Sequence, residues 1–231
     1  MSRIHFIGGE KGGVGKSVVA RLLAQYWIDK QQPWAGFDTD RSHGALLRYY
    51  GNFAQPVEVT CLEELDRLVE SAAQEETNVL VDLAAQSDRD VHAWIASGGL
   101  LELAKELAIE ILFWHVMDDG KDSVNLLAGL LERYGDSGRY AIVLNHGRGD
   151  DFRLFLESSA RQRAEEFGAA IMELKALHKP TMRKIDQCDK SFWAALNNAD
   201  SEHGYYLGLM ERQRMKVWLR SAYSEFQRIG I

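Results

Sequence analysis

Apolar residues in this chain fall into two kinds of pattern. Short, mostly apolar runs occur at residues 4–7, 34–37, 57–60, 79–81, 109–116, 140–144 and 169–174, each with the length of a strand. Between them, apolar positions recur every three or four residues. Val18, Val19, Leu22, Leu23, Tyr26 and Trp27 mark one such stretch, ended before Pro33, and Leu62, Leu65, Leu68, Val69 and Ala72 mark another. Further helices are expected over 43–50, 88–96, 100–107, 123–134 and from the loop at 146–150 to Phe167, and the chain beyond Pro180 reads helical. Strands alternating with helices predict an α/β fold: a doubly wound, mainly parallel sheet flanked by helices. No linker, repeat or low-complexity segment interrupts the pattern. We therefore expect one domain over 1–231, with a helical C-terminal segment at 178–231.

Parallel sheets of this kind bind ligands at the carboxyl ends of their strands. The glycine loop after residues 4–7 falls there, as do Asp38, Asp82, Asp118 and Asn145. The loop reads Gly8-Gly9-Glu10-Lys11-Gly12-Gly13-Val14-Gly15-Lys16-Ser17, between a strand and a helix. Glycines let successive backbone N–H groups turn inward around phosphate oxygens, and the following helix points its positive end at the same anion. Gly12, Gly13, Val14, Gly15, Lys16, Ser17 and Val18 would form the cradle. Lys16 would reach the β- and γ-phosphates and the Ser17 hydroxyl would ligate Mg²⁺. The usual first glycine of such a loop would stand at Glu10; Gly9 lies one place early.

Phosphoryl transfer needs charge neutralisation and a positioned nucleophile. Asp38 and Asp40 close one strand; we assign Asp38 to the Mg²⁺ shell through water and Asp40 to orienting the attacking water. A solvated acidic turn fits the same pair. Asp82 closes another strand as a further Mg²⁺ acid, or as a turn or capping aspartate.

Lys11-Gly12-Gly13-Val14-Gly15-Lys16-Ser17, Asp38-Thr39-Asp40 and Asp82 together resemble the deviant Walker A ATPases, the ParA and MinD type, over roughly residues 1–175. That resemblance implies a fold and a cofactor pair, ATP/ADP and Mg²⁺. It further implies an ATP-dependent homodimer in which Lys11 crosses to the partner's nucleotide and acts catalytically with Lys16 and Asp40. Within the family the chain resembles the TraL-like conjugal-transfer and mobilisation branch. The points of likeness are Phe37-Asp38-Thr39-Asp40, His115 with Asp118-Asp119-Gly120-Lys121-Asp122-Ser123, and Met210-Glu211-Arg212-Gln213-Arg214-Met215. A partner protein of a DNA-transfer or partition system follows from the same likeness. Asn145 resembles the family's adenine-reading asparagine; an ordinary turn asparagine fits equally. Two departures stand out. Leu83-Ala84-Ala85-Gln86 follows Asp82 where relatives often have a glycine, which leaves Gln86 as a candidate sensor. Lys175 stands where many relatives carry a proline.

The net charge of −7 over 231 residues excludes a global attraction to nucleic acid or anionic lipid, so any such contact must be local. The local candidate is Arg212, Lys216 and Arg220, spaced by four on the last helix; a DNA contact and a solvated face both fit. Met215, Trp218, Ala222, Phe226 and Ile229 should pack on the domain. Cys61 and Cys188 form no Cys-x-x-Cys pair, which disfavours an iron–sulfur carrier. No apolar run approaches a membrane span, no membrane insertion is expected, and a cytoplasmic location is. Two other functions fit the fold: a small-molecule ligase or kinase, and a nucleotide-bound scaffold with little turnover.

Overall fold

Strand β1 (Arg3–Gly8), which feeds the glycine loop, pairs in parallel with β4 (Asn78–Asp82) on one side and β5 (Glu110–Met117) on the other. These relations come from a computed structural model that describes residues 1–9, 11–40, 44–74, 76–85, 87–197 and 206–231. The remaining strands are β2 (Trp34–Asp38), β3 (Ala54–Pro56), β6 (Arg139–Asn145) and β7 (Ala170–Leu174). They complete a seven-stranded parallel sheet in the order β3-β2-β4-β1-β5-β6-β7. The expected doubly wound α/β architecture is therefore the one observed, and β1, β2, β4, β5 and β6 end on one edge.

Each face of the sheet is covered. On one face α1 (Lys16–Asp29), α2 (Ala45–Tyr50), α9 (Lys179–Gln187), α10 (Phe192–Asn197) and α11 (Leu209–Arg228) bury Leu22, Leu23, Trp27, Leu46, Ile185, Phe192 and Phe226 against Ile7, Leu80 and Trp114. On the other, α3 (Leu62–Gln74), α4 (Asp88–Ser97), α5 (Leu100–Glu106), α6 (Lys121–Tyr134), α7 (Arg153–Leu156) and α8 (Ser159–Glu166) pack over Phe6, Val81 and Phe113. Burial of these side chains contributes about 1.5–3 kcal/mol each. That is why β1, with four consecutive buried residues, is apolar at Ile4, Phe6 and Ile7, with His5 the one polar exception among them.

Three expectations shift. The edge strand lies at Ala54–Pro56 and not at 57–60: β2 ends at Asp38, and Val57 turns inward with its N–H on Asp38 O at 3.0 Å. Pro56 is tolerated because an edge strand leaves its N–H side unpaired. The helix expected to run to Phe167 is two helices, because the Ser158 hydroxyl accepts from Arg161 N at 3.1 Å and starts a new one. The helix expected from residue 43 begins at Ala45; His43 lies outside the described residues. At the other edge, α11 caps the open side of β7. The Arg228 guanidinium donates to Ile171 O at 2.6 Å and Glu173 N donates to Glu225 Oε2 at 3.3 Å.

Candidate nucleotide-binding site

The loop between β1 and α1 turns on glycines. Gly9, Gly13 and Gly15 hold φ of 120°, 80° and 104°, a region open to residues without a Cβ. At Gly15 the demand is also steric, because a Cβ there would stand 2.3 Å from Asn145 Nδ2. Asn145, buried at the end of β6, donates to Val14 O at 2.7 Å and accepts from Gly147 N at 3.0 Å. It thus clamps the glycine loop to the loop after β6.

Lys16 is buried and folds back along the loop, donating to Gly9 O at 2.7 Å and Lys11 O at 3.1 Å. Burial lowers its pKa, opposed by the Asp82 charge. Lys11 points the other way: its Nζ lies 2.7 Å from Asp118 Oδ2 at the end of β5, and this hydrogen bond raises its pKa. Asp118 is itself held by the Ser123 hydroxyl at 2.7 Å and Gly120 N at 3.1 Å. Partial burial pushes its pKa up, but Lys11, Ser123 and Gly120 outweigh this and leave it lowered. Its neighbour Asp119 accepts from Asp150 N at 2.9 Å and Asp151 N at 3.3 Å, joining the loops after β5 and β6.

Asp38 and Asp82 face each other in register across β2 and β4. Asp38 is buried and accepts from Asp40 N at 3.0 Å and from Leu46 N and Leu47 N at 2.9 and 3.3 Å, so it fixes the start of α2. Burial raises its pKa against those hydrogen bonds. Burial also pushes Asp82 up to about 7, with Asp38 adding to the rise and the hydrogen bond from Ser17 opposing it. Asp82 Oδ1 is buried without a hydrogen-bond partner. An orphaned carboxylate oxygen, a serine hydroxyl and a second carboxylate suit a hard dication. Among the described residues no group of three His, Cys, Asp or Glu side chains could hold a metal ion. Phosphate oxygens and water would have to complete the shell of any Mg²⁺ here, as they usually do for this ion.

Gly12, Gly13, Gly15, Lys16, Ser17, Val18, Asp38, Asp40 and Asp82 line one open cleft of about 710 Å³. Val14 stays under the loop and Lys11 stands beside it, on Asp118. Val18 and Arg148 also line a second cavity of about 1130 Å³, with Asn145, Leu177 and Trp218. Arg212, Lys216 and Arg220 line neither. Gln86 lies outside the described residues.

Sequence reasoning gave no role to three residues that build this site. Thr39 Oγ1 donates to Asp82 O at 3.2 Å and accepts from Ala84 N at 2.7 Å, tying the ends of β2 and β4. Its position between two aspartates was the available signal. Asp118 was placed at the right edge, but nothing in spacing pairs it with Lys11. Arg148 sits in a loop whose path depends on Asn145 and Asp119.

No protein-family model matches the chain. Two Escherichia coli proteins named TraL are each 25% identical to it, over 244 and 252 aligned positions, covering all of both partners. A ParA family ATPase of Chlorobium tepidum matches in structure with a TM-score of 0.57 and 14% identity, covering 95% of this chain and 98% of its own. The MinD cell division protein of Aquifex aeolicus matches with a TM-score of 0.50 and 13% identity, covering 94% of this chain and 96% of its own. The chain is thus similar in sequence to the TraL proteins over their full length and shares the fold of the ParA and MinD ATPases.

Proposed function

We propose that this chain is a Mg²⁺-dependent ATPase that works as an ATP-driven dimerisation switch in plasmid transfer, mobilisation or partition. The observation that carries the reading is the foot of the glycine loop, where the Ser17 hydroxyl meets Asp82, whose second oxygen has no partner, beside Asp38. The loop's backbone N–H groups and Lys16 bind the triphosphate. Ser17, Asp82 and Asp38 would hold Mg²⁺, which when bound would neutralise charge on the phosphates. Asp40, lining the same cleft, orients the attacking water. Lys11 belongs to the partner's nucleotide in the dimer, where a cation arriving in trans stabilises developing charge. Its contact with Asp118 is the resting arrangement.

The likeness to TraL supports a DNA-transfer process and a protein partner. Arg212, Lys216 and Arg220 are the candidate DNA contacts. Asn145 belongs to the base side of the site. One observation favours a second reading, a nucleotide-bound scaffold with little turnover. Ala84 N–H follows Asp82 closely and is already committed to Thr39 Oγ1 at 2.7 Å, so it is not offered to a γ-phosphate. Phosphate release from Mg²⁺-ATP, measured with wild type and Lys16→Ala, with and without DNA, tests the choice. Turnover above the variant supports the switch; tight ATP binding without turnover supports the scaffold.

A further inference from the structure

The cavity beside the phosphate cleft carries more positive charge than a neutral nucleoside needs. Arg148, Lys175, Lys179 and Arg183 all line it. None of the four has a side-chain hydrogen bond or ion pair among the described residues. The one carboxylate in the wall, Asp186, is bound by the buried Arg21 guanidinium at 2.8 Å. Arg148, Lys179 and Arg183 thus face one opening in a chain of net charge −7, joined by Lys175, whose charge also acts on Glu225 of α11.

The two spaces adjoin, sharing part of their walls. Val18 and Arg148 line both, so a nucleotide with its phosphates on the loop extends its nucleoside into the second cavity. There Leu174, Leu177 and Met182 offer an apolar floor for the base. The triphosphate, however, remains in the first cleft, served by Lys16 and the loop backbone. The cations of the second cavity would then face only a neutral base and ribose. Their positions fit a ligand with a second anion on its nucleoside side.

We infer that this cavity recognises a phosphate on the ribose of a nucleotide whose 5′-phosphates occupy the glycine loop. Lys179 and Arg183 lie one turn apart on α9, with Lys175 just before that helix and Arg148 in the loop after β6, and all four line the same cavity. Charge-assisted hydrogen bonds to a phosphate are the strong class, and an arginine adds a planar fork. The inference rests on the nucleotide-binding reading but does not require hydrolysis or dimerisation.

The test compares AMP with adenosine 2′,5′-bisphosphate and adenosine 3′,5′-bisphosphate as competitors of radiolabelled ADP in equilibrium dialysis. The full chain and the variant Lys179→Ala/Arg183→Ala are measured, at low and at raised salt. One of the bisphosphates is expected to bind at least tenfold tighter than AMP. The double variant should lose most of that gain while its ADP affinity stays within about twofold. Both side chains are exposed, so folding is not at stake. Equal affinities of AMP and both bisphosphates, with ADP still bound, overturn the inference and leave the nucleotide reading standing. A single-stranded oligonucleotide added as a further ligand, bound by the wild type and lost by the double variant without any bisphosphate gain, also overturns it and gives the cations to a nucleic-acid backbone. No binding of labelled ADP at all sinks the nucleotide reading itself, and this inference with it.

Discussion

Lys11 Nζ lies 2.7 Å from Asp118 Oδ2 within the same chain. The lysine that the dimer reading sends to a partner's nucleotide is thus held at home by an acid from the end of β5. The pair is partly exposed, with side-chain exposures of 32% and 18%. Such pairs contribute about 0.2–1 kcal/mol, so this one is a weak restraint.

Asp118→Asn should therefore favour the dimer. Two restraints are removed per dimer, which together amount to a tightening of roughly 2- to 30-fold. Sedimentation in a non-hydrolysable ATP analogue over a range of protein concentrations measures it. An unchanged or weaker dimer would mean that Asp118 positions Lys11 for its task and does not restrain it.

Asp82 gives a pH dependence with a definite sign. Its folded pKa, raised to about 7 from an ordinary value of 3.8, means that the native state holds a proton the unfolded state has lost. This stabilisation is fully present below about pH 4 and fades as pH rises to about 7. Asp82→Asn should flatten that slope and stabilise the nucleotide-free protein at pH 8 by a few kcal/mol, on the order of magnitude set by such a shift. It should also remove the Mg²⁺-dependent part of ATP binding. In wild type, loading with Mg²⁺-ATP near pH 7 should release protons, which calorimetry in buffers of different ionisation enthalpy detects. No proton release and no change in the pH slope would contradict the assignment.

How much of this was legible in the sequence follows from where each signal is local. The glycine loop was, because a strand, a glycine run and Lys16-Ser17 lie within a dozen residues. Asp38, Asp82 and Asn145 were placed at one sheet edge because parallel strands must all end on the same side. The edge strand was misplaced since only one neighbour fixes it, and Val57 and Val59 have β-branched side chains that serve packing instead. The Lys11–Asp118 and Asn145–Val14 contacts were out of reach. They join residues more than a hundred positions apart, through loops whose course is set by Asp119 and Thr39.

Asn145 and Val14 form the second of these contacts, with Gly15 packed against the Asn145 amide. Asn145→Ala leaves Val14 O without its buried donor, a loss of about 1–3 kcal/mol, and should lower Tm by about 2–10 °C in a chain of this size. Gly15→Ala places a Cβ 2.3 Å from Asn145 Nδ2 at a φ of 104° and should cost at least as much. Both should weaken ATP binding. Thermal unfolding and calorimetry decide; a Gly15→Ala protein with wild-type Tm and affinity would show that the clamp is dispensable.

The central claim is that ATP, through Lys11, joins two copies of this chain. Light scattering on wild type and Lys11→Ala, each with ADP and with a non-hydrolysable ATP analogue plus Mg²⁺, tests it most directly. The account predicts a monomer with ADP and a dimer with the analogue for wild type, and a monomer in both cases for Lys11→Ala, with nucleotide still bound. A wild-type monomer saturated with the analogue, or an undiminished dimer of Lys11→Ala, would contradict it.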